Sequence, residues 1–253
     1  MTRFAAAQRP PRLAPHGLAL PLQPITFLNA TWVVPSDPAT SIGSNAPGWW
    51  YGVQTSKGNG ALVQPILAYG YTERDAYAIF NACFDWTDGS WTTSKETYDV
   101  KPGDTITSSV TFNPSANSYT MYIKSADTGK SITTDYKLKP GQSLPESTAY
   151  FVLEHQPRSC KAYPTDGELT FSGINLQAGG KTLSPQWVAK QERPACDSEA
   201  KVIDAQTLKF TWNAASASLG EPAHPAGLGA TWTPPKWGSG PMRPPPLEQT
   251  QRV

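Results

Sequence analysis

What most limits how this chain can fold is its punctuation. Short runs of alternating, β-branched and aromatic residues recur between turn signals such as Asp88-Gly89, Pro102-Gly103-Asp104 and Pro140-Gly141. No segment keeps a helical period over about eleven residues or more. The pattern predicts strands near 26–34, 48–54, 60–68, 77–86, 104–112, 117–124, 131–138, 147–155, 168–176 and 206–213. Roughly ten strands at this spacing predict an all-β fold, a sandwich or jelly roll of two packed antiparallel sheets. Only 16% of the residues are charged while Pro reaches 25, a balance that suits strands and turns better than helices.

The ends read differently. Residues 1–24 and 216–253 are dominated by Pro, Ala and Gly, and such stretches bury too little apolar surface to offset the entropy of ordering. Both are expected to be flexible extensions of a single domain over 25–215. Met1 to Leu22 is rich in Arg and Pro, with only a feeble apolar stretch at Gly17 to Leu22, and makes a poor signal peptide as written.

The bulk chemistry excludes several classes of function. Lys and Arg number 21 against 20 Asp and Glu, so no general attraction to nucleic acid or an anionic membrane follows. No apolar run approaches the roughly 18 residues of a membrane span. The three cysteines lack the CxxC spacing of a zinc site. Cys160 and Cys196 lie in polar, Pro-containing loops and could pair, which the sequence leaves open. Cys83 lies in an apolar strand pattern and reads as a free core or cleft-lining thiol. HExxH and GxSxG are both missing, and no local pattern supports Cys83 or Cys160 acting with His155.

Alternation along the strands sorts the remaining candidates onto faces. In 77–86, Ala78, Phe80, Ala82, Phe84 and Trp86 read as core, and Tyr77, Ile79, Asn81, Cys83 and Asp85 as facing solvent or a cleft. In 149–155, Glu154 shares a face with Tyr150 and Val152, so its carboxylate is either partly desolvated, a setting suited to acid–base work, or an edge-strand group in water. Gln64 shares a face with Leu62 and Ile66, a lone amide among apolar neighbours that must find partners. Pro65 beside it predicts an edge position or a bulge. Trp49, Trp50 and Tyr51 put aromatics on both faces of one short strand, with at least one ring expected in solvent.

In order, the chain offers Trp50-Tyr51-Gly52-Val53, Ala61-Leu62-Val63-Gln64, Phe80-Asn81-Ala82-Cys83-Phe84-Asp85-Trp86, Pro102-Gly103-Asp104 and Ala149-Tyr150-Phe151-Val152-Leu153-Glu154. From about residue 30 to 176 this ordered set resembles the eqolisin family of glutamic peptidases. The resemblance implies a concanavalin-like β-sandwich and an acid-acting, secreted endopeptidase, extracellular and monomeric, needing no metal, cofactor or covalent intermediate. It implies Glu154 as general base and acid on water and Gln64 as oxyanion stabiliser. Trp50, Asp85 and Tyr150 would contact the polypeptide substrate. Three positions depart from the family pattern: Pro65-Ile66 follow the Gln in place of small residues, Gln54 replaces an acidic residue, and Cys83 stands where a large aromatic is usual. The rival readings are a non-catalytic carbohydrate- or peptide-binding sandwich, which nine Trp and ten Tyr would serve, and a surface protein tethered by its Pro-rich ends.

Overall fold

The computed structural model describes residues 2–8, 23–40, 47–55, 60–72, 74–140, 142, 147–155, 159–191 and 195–217. In chain order the strands are β1 (Thr2–Gln8), β2 (Ile25–Val33), β3 (Gly48–Gln54), β4 (Ala61–Tyr69), β5 (Tyr77–Asp85), β6 (Ser90–Thr93), β7 (Tyr98–Val100) and β8 (Thr105–Asn113). They continue as β9 (Ser118–Ser125), β10 (Ser131–Lys137), β11 (Thr148–His155), β12 (Glu168–Ala178), β13 (Lys181–Leu183), β14 (Val188–Gln191), β15 (Glu199–Asp204) and β16 (Thr207–Thr211). A single 3₁₀ turn at Cys160–Ala162 is the helical element among the described residues.

These strands form two antiparallel sheets. The first runs β14-β1-β11-β3-β4-β5-β6, with β7 also on β5; the second runs β10-β9-β8-β2-β12-β16-β15, with β13 on β12. Their facing sides interdigitate, which removes apolar area from water without leaving ladder groups unpaired. Trp49, Tyr51 and Val53 of β3, Phe151 and Leu153 of β11, and Ile79 of β5 meet Trp32 of β2, Phe171 of β12 and Phe210 of β16 in one core. Phe171 sits at its centre, with ring centroids 5.0 Å from both Trp32 and Phe151 and 6.0 Å from Phe210. Burying such a ring contributes roughly 1.5–3 kcal/mol by area alone.

All ten expected strands are present, and the antiparallel sandwich is as expected. Four expectations change. Residues 2–8, placed within a flexible extension, form β1 and insert between β11 and β14; the segment's own alanine-rich pattern carries no period, and the pairing comes from its neighbours. Residues 9–22 and 218–253 lie outside the described residues. Pro65 lies on an interior strand with β3 on one side and β5 on the other, rather than at an edge. The sheet accommodates it because the β3–β4 ladder pairs Trp50 with Ile66 and Val53 with Val63 but skips the positions between, where proline has no N–H to give.

The other two corrections concern faces. On β5 it is Tyr77, Ile79 and Cys83 that join the inter-sheet core, while Ala78, Phe80, Ala82 and Phe84 line the outer side of the first sheet, the reverse of the expected assignment. The parity that carries Asn81 and Asp85 is the more polar one, yet it faces inward because the second sheet supplies the partners: Asn81 Nδ2 donates to the Met121 and Ile132 carbonyls, and Asp85 accepts from Tyr136. Nor is any of Trp49, Trp50 and Tyr51 exposed: β3 is flanked by β11 and β4, and the rings are buried on both faces.

Cys160 and Cys196 form a disulfide with a Cα–Cα distance of 5.4 Å across 36 residues of sequence. A loop of that length stabilises the fold by about 3–4 kcal/mol through the unfolded chain. Cys83 is free and buried in the inter-sheet core.

Candidate active site

The outer side of the first sheet carries a second apolar cluster: Trp50, Leu62, Ile66, Ala68, Phe80, Ala82, Phe84 and Val152, with Tyr71, Trp86, Trp91 and Tyr150 packed against it. Among the polar side chains that sit within this surface are Gln64 and Glu154, at 2% and 8% exposure. They belong to it because their strand parities match those of Leu62 and Ile66 on β4 and of Val152 on β11. Glu154 is no edge-strand group, since β1 pairs along one side of β11 and β3 along the other.

Strand β3 runs between the two residues, and its Trp50 holds Glu154. Its indole Nε1 donates to Glu154 Oε2 at 3.0 Å, while Glu154 Oε1 is buried with no partner among the described residues. Two positions along β3, Gly52 lies beside Gln64. A Cβ on Gly52 would fall 2.5 Å from the Val63 carbonyl oxygen and 3.2 Å from Gln64 Cβ, so only glycine allows β3 to run this close to the strand bearing Gln64. Gln64 Oε1 is likewise buried without a partner among the described residues. Two unmatched polar oxygens on one apolar surface are costly for stability alone, and they suit a surface that receives a polar ligand.

Tyr150 is on the same face, opposite Gly52 in the β11–β3 ladder. Asp85 is not. It projects from the inner parity of β5, where its Oδ2 accepts from Tyr136 Oη at 2.9 Å and pairs with Lys139 Nζ at 2.6 Å, and its Oδ1 accepts from the Thr87 amide at 2.8 Å. Lys139 also pairs with Asp88 at 2.7 Å. Burial pushes the Asp85 carboxyl up, but the bonds from Lys139, Thr87 and Tyr136 together outweigh it and hold the group below the ordinary carboxylate value. The cluster ties the end of β5 in one sheet to the end of β10 in the other.

Because the folded value is lowered, this contribution to stability is fully present above the unfolded Asp value of about 3.9 and is lost as pH falls through the folded one. Asp85→Asn is therefore expected to destabilise the protein by about 2 kcal/mol at pH 6, with the difference from wild type narrowing below about pH 4. Thermal melts of the two proteins across pH 2–7 measure it. An unchanged melting temperature at pH 6 would show that the cluster does not tie the sheets.

The cysteine alternatives lose their nucleophiles. Cys160 is spent in the disulfide, and burial, then the Asp85 charge, push the Cys83 thiol well above its ordinary value. Among the described residues no cluster of His, Cys, Asp or Glu could hold a metal ion. Alternation alone did not bring out Gln54, which is buried on the outer parity of β3 opposite Leu62, or the aromatic lining of Phe80, Phe84 and Tyr71. Gln54 was visible only as a departure from a family pattern; the aromatic lining was masked by the inverted faces of β5.

The family model described as the Peptidase A4 family matches residues 16–215, from before β2 to beyond β16, which leaves only β1 of the sandwich outside it. The chain belongs to the Peptidase A4 family. By that membership this A4 peptidase is a glutamic endopeptidase of the eqolisin type. No curated protein matches it in sequence. Among solved structures it is similar to scytalido-glutamic peptidase with a transition state analog inhibitor, at 15% identity and a TM-score of 0.56 over 83% of this chain and 98% of that one. It is also similar to SCP-B, a member of the eqolisin family of peptidases in a complex with the tripeptide Ala-Ile-His, at 16% identity and a TM-score of 0.51 over the same shares. At such identities these likenesses speak for the fold.

Proposed function

We propose that this A4 peptidase cleaves polypeptides with Glu154 and Gln64 acting on a water molecule. The observation that carries the reading is the half-occupied carboxylate: Trp50 holds Oε2, while Oε1 is buried on the same apolar face as Gln64 and has no partner among the described residues. A carboxylate fixed by one oxygen can present the other to water. Glu154 would take a proton from that water as its oxygen bonds to the peptide carbonyl carbon. Gln64 would donate its amide hydrogens to the carbonyl oxygen as it gains negative charge. The C–N bond then breaks, and the proton held by Glu154 passes to the leaving amine. No group is left covalently altered. The apolar surround strengthens both interactions by keeping bulk water away.

Action below neutral pH follows from the resemblance to eqolisins. An extracellular location agrees with the disulfide, which persists in oxidising compartments, and among the described residues no helix is long and apolar enough to cross a membrane. We take the protein to act as a monomer. The test is digestion of a denatured protein substrate by the purified protein across pH 2–7, with and without chelator. Cleavage in the acid half of that range, indifferent to chelator, is the expected result. A folded protein that cuts nothing at any pH would overturn the reading in favour of a binding role for the aromatic face.

A further inference from the structure

The strand registers set the outer face of the first sheet in rows. Glu154 lies opposite Gly48, Gly48 opposite Ala68, Ala68 opposite Ala78, and Ala78 opposite Asp99 of β7. The next row consists of Val152, Trp50, Ile66 and Phe80. Rows on one face are about 7 Å apart, two residues of strand rise. Between Glu154 and Asp99 the first row carries nothing larger than a methyl group, whereas its neighbour carries an indole, a branched aliphatic and a benzyl side chain. The difference leaves a slot that runs across the sheet from Glu154, walled by Trp50, Ile66 and Phe80. At its far end Asp99 is paired with Arg74 at 2.8 Å.

Something already occupies this slot. Past Tyr69 the chain leaves β4 through Gly70, whose φ of 72° lies in the left-handed region, and the next residue, Tyr71, lays its ring flat on Phe80. The centroids are 3.8 Å apart and the planes differ by 16°. Seen from the hairpin, Phe80 lies one row beyond the Ala68–Ala78 pair, so the ring that stacks on it reaches back past that pair. Both alanines are 0% exposed, although their own side chains cover nothing. An aromatic ring of the protein thus fills an apolar slot that opens beside the candidate general base.

We propose that the slot is a subsite for an aromatic side chain of the polypeptide substrate, and that Tyr71 occupies it when substrate is absent and yields it when substrate binds. The substrate class rests on the peptidase reading; the selectivity rests on the row of small residues and on the ring seated over them. A flat ring stacked on Phe80 reports what the slot accepts: an apolar, planar group with no charge to satisfy along the floor.

The experiment uses peptides identical except for Phe or Ala, exchanged at each position in turn along the chain. Cleavage is measured with wild type, Tyr71→Ala and Ala68→Leu, and binding with Glu154→Gln by calorimetry. Wild type is expected to favour Phe over Ala at one position. Tyr71→Ala, which vacates the slot, should raise that ratio about tenfold, and Ala68→Leu, which fills it, should bring the ratio close to one. Because the ratio compares two peptides on the same protein, loss of folded material does not move it. Ratios unchanged in both variants would overturn the slot. Cleavage without any Phe preference would overturn it while sparing the peptidase reading. Phe-selective binding by Glu154→Gln with no cleavage by wild type would do the opposite, and neither cleavage nor preference would overturn both.

Discussion

Glu154→Gln is expected to lower kcat/KM for a peptide substrate by about 10²–10⁴ and to leave the fold intact. The substitution is nearly isosteric, and the amide oxygen can still accept the Trp50 indole hydrogen that Glu154 Oε2 accepts at 3.0 Å. Position and packing are therefore kept, and what is lost is the capacity to take a proton from water and return it. A neutral amide is also cheaper to bury than a carboxylate, so the variant should melt no lower than wild type. Side-by-side melts and initial rates in the acid range decide the matter. Activity within about threefold of wild type in a folded variant would remove Glu154 from the chemistry, and the peptidase would need another base.

Gln64→Ala should cost about 10²–10³ in kcat with KM little changed, because charge on the carbonyl oxygen develops only as water attacks. The interpretation needs a control. Truncating a side chain that is 2% exposed also opens a cavity beside Leu62 and Ile66, and the loss of packing could disturb the strand. Gln64→Met conserves length and volume while removing both the amide donors and the unmatched Oε1. It should be as stable as wild type or more so and as inactive as Gln64→Ala. If Gln64→Met instead retained most of the activity, Gln64 would be packing rather than chemistry, and the oxyanion would have to be met elsewhere.

Each of the two residues is set in place by β3, Glu154 through Trp50. Its bond to Glu154 holds one carboxylate oxygen and leaves the other without a partner among the described residues, so in the proposed mechanism Trp50 would act through Glu154 by positioning it. Gly52 plays a comparable part for Gln64 by what it lacks, since any side chain there would strike the Val63 carbonyl.

Much of this was legible from local pattern. Ten strands declare themselves by apolar, β-branched and aromatic runs between turn residues, and most of them by alternation, because a half-buried strand must repeat every two residues. The six that escaped have little pattern of their own. β6, β7, β13 and β14 are three or four residues long, β15 is a mostly exposed edge strand, and β1 is a run of alanines between a few larger residues. Each is a strand because a neighbour offers it a ladder. Gln64 and Glu154 stood out for the opposite reason: each is a polar residue on an otherwise apolar parity, and a polar group in that position needs an explanation whatever the fold.

Local pattern was enough for the class of fold, the strands with their own period, the two polar intruders, and the family to which their order belongs. It turned the wrong side of β5 toward the other sheet, because Asn81 and Asp85 mark one parity as polar and the groups on β9 and β10 that satisfy them lie far off in sequence. For the same reason Asp85 could be placed in the cleft on paper, yet it closes an inter-sheet cluster with Lys139 and Tyr136. Only the tertiary structure brought Trp50 to Glu154 across 104 residues and set the small residues Gly48, Ala68 and Ala78 in a line leading from it. Local periodicity records how a strand meets its own two faces, whereas neighbours across a sheet are fixed by long-range pairing that leaves no local mark.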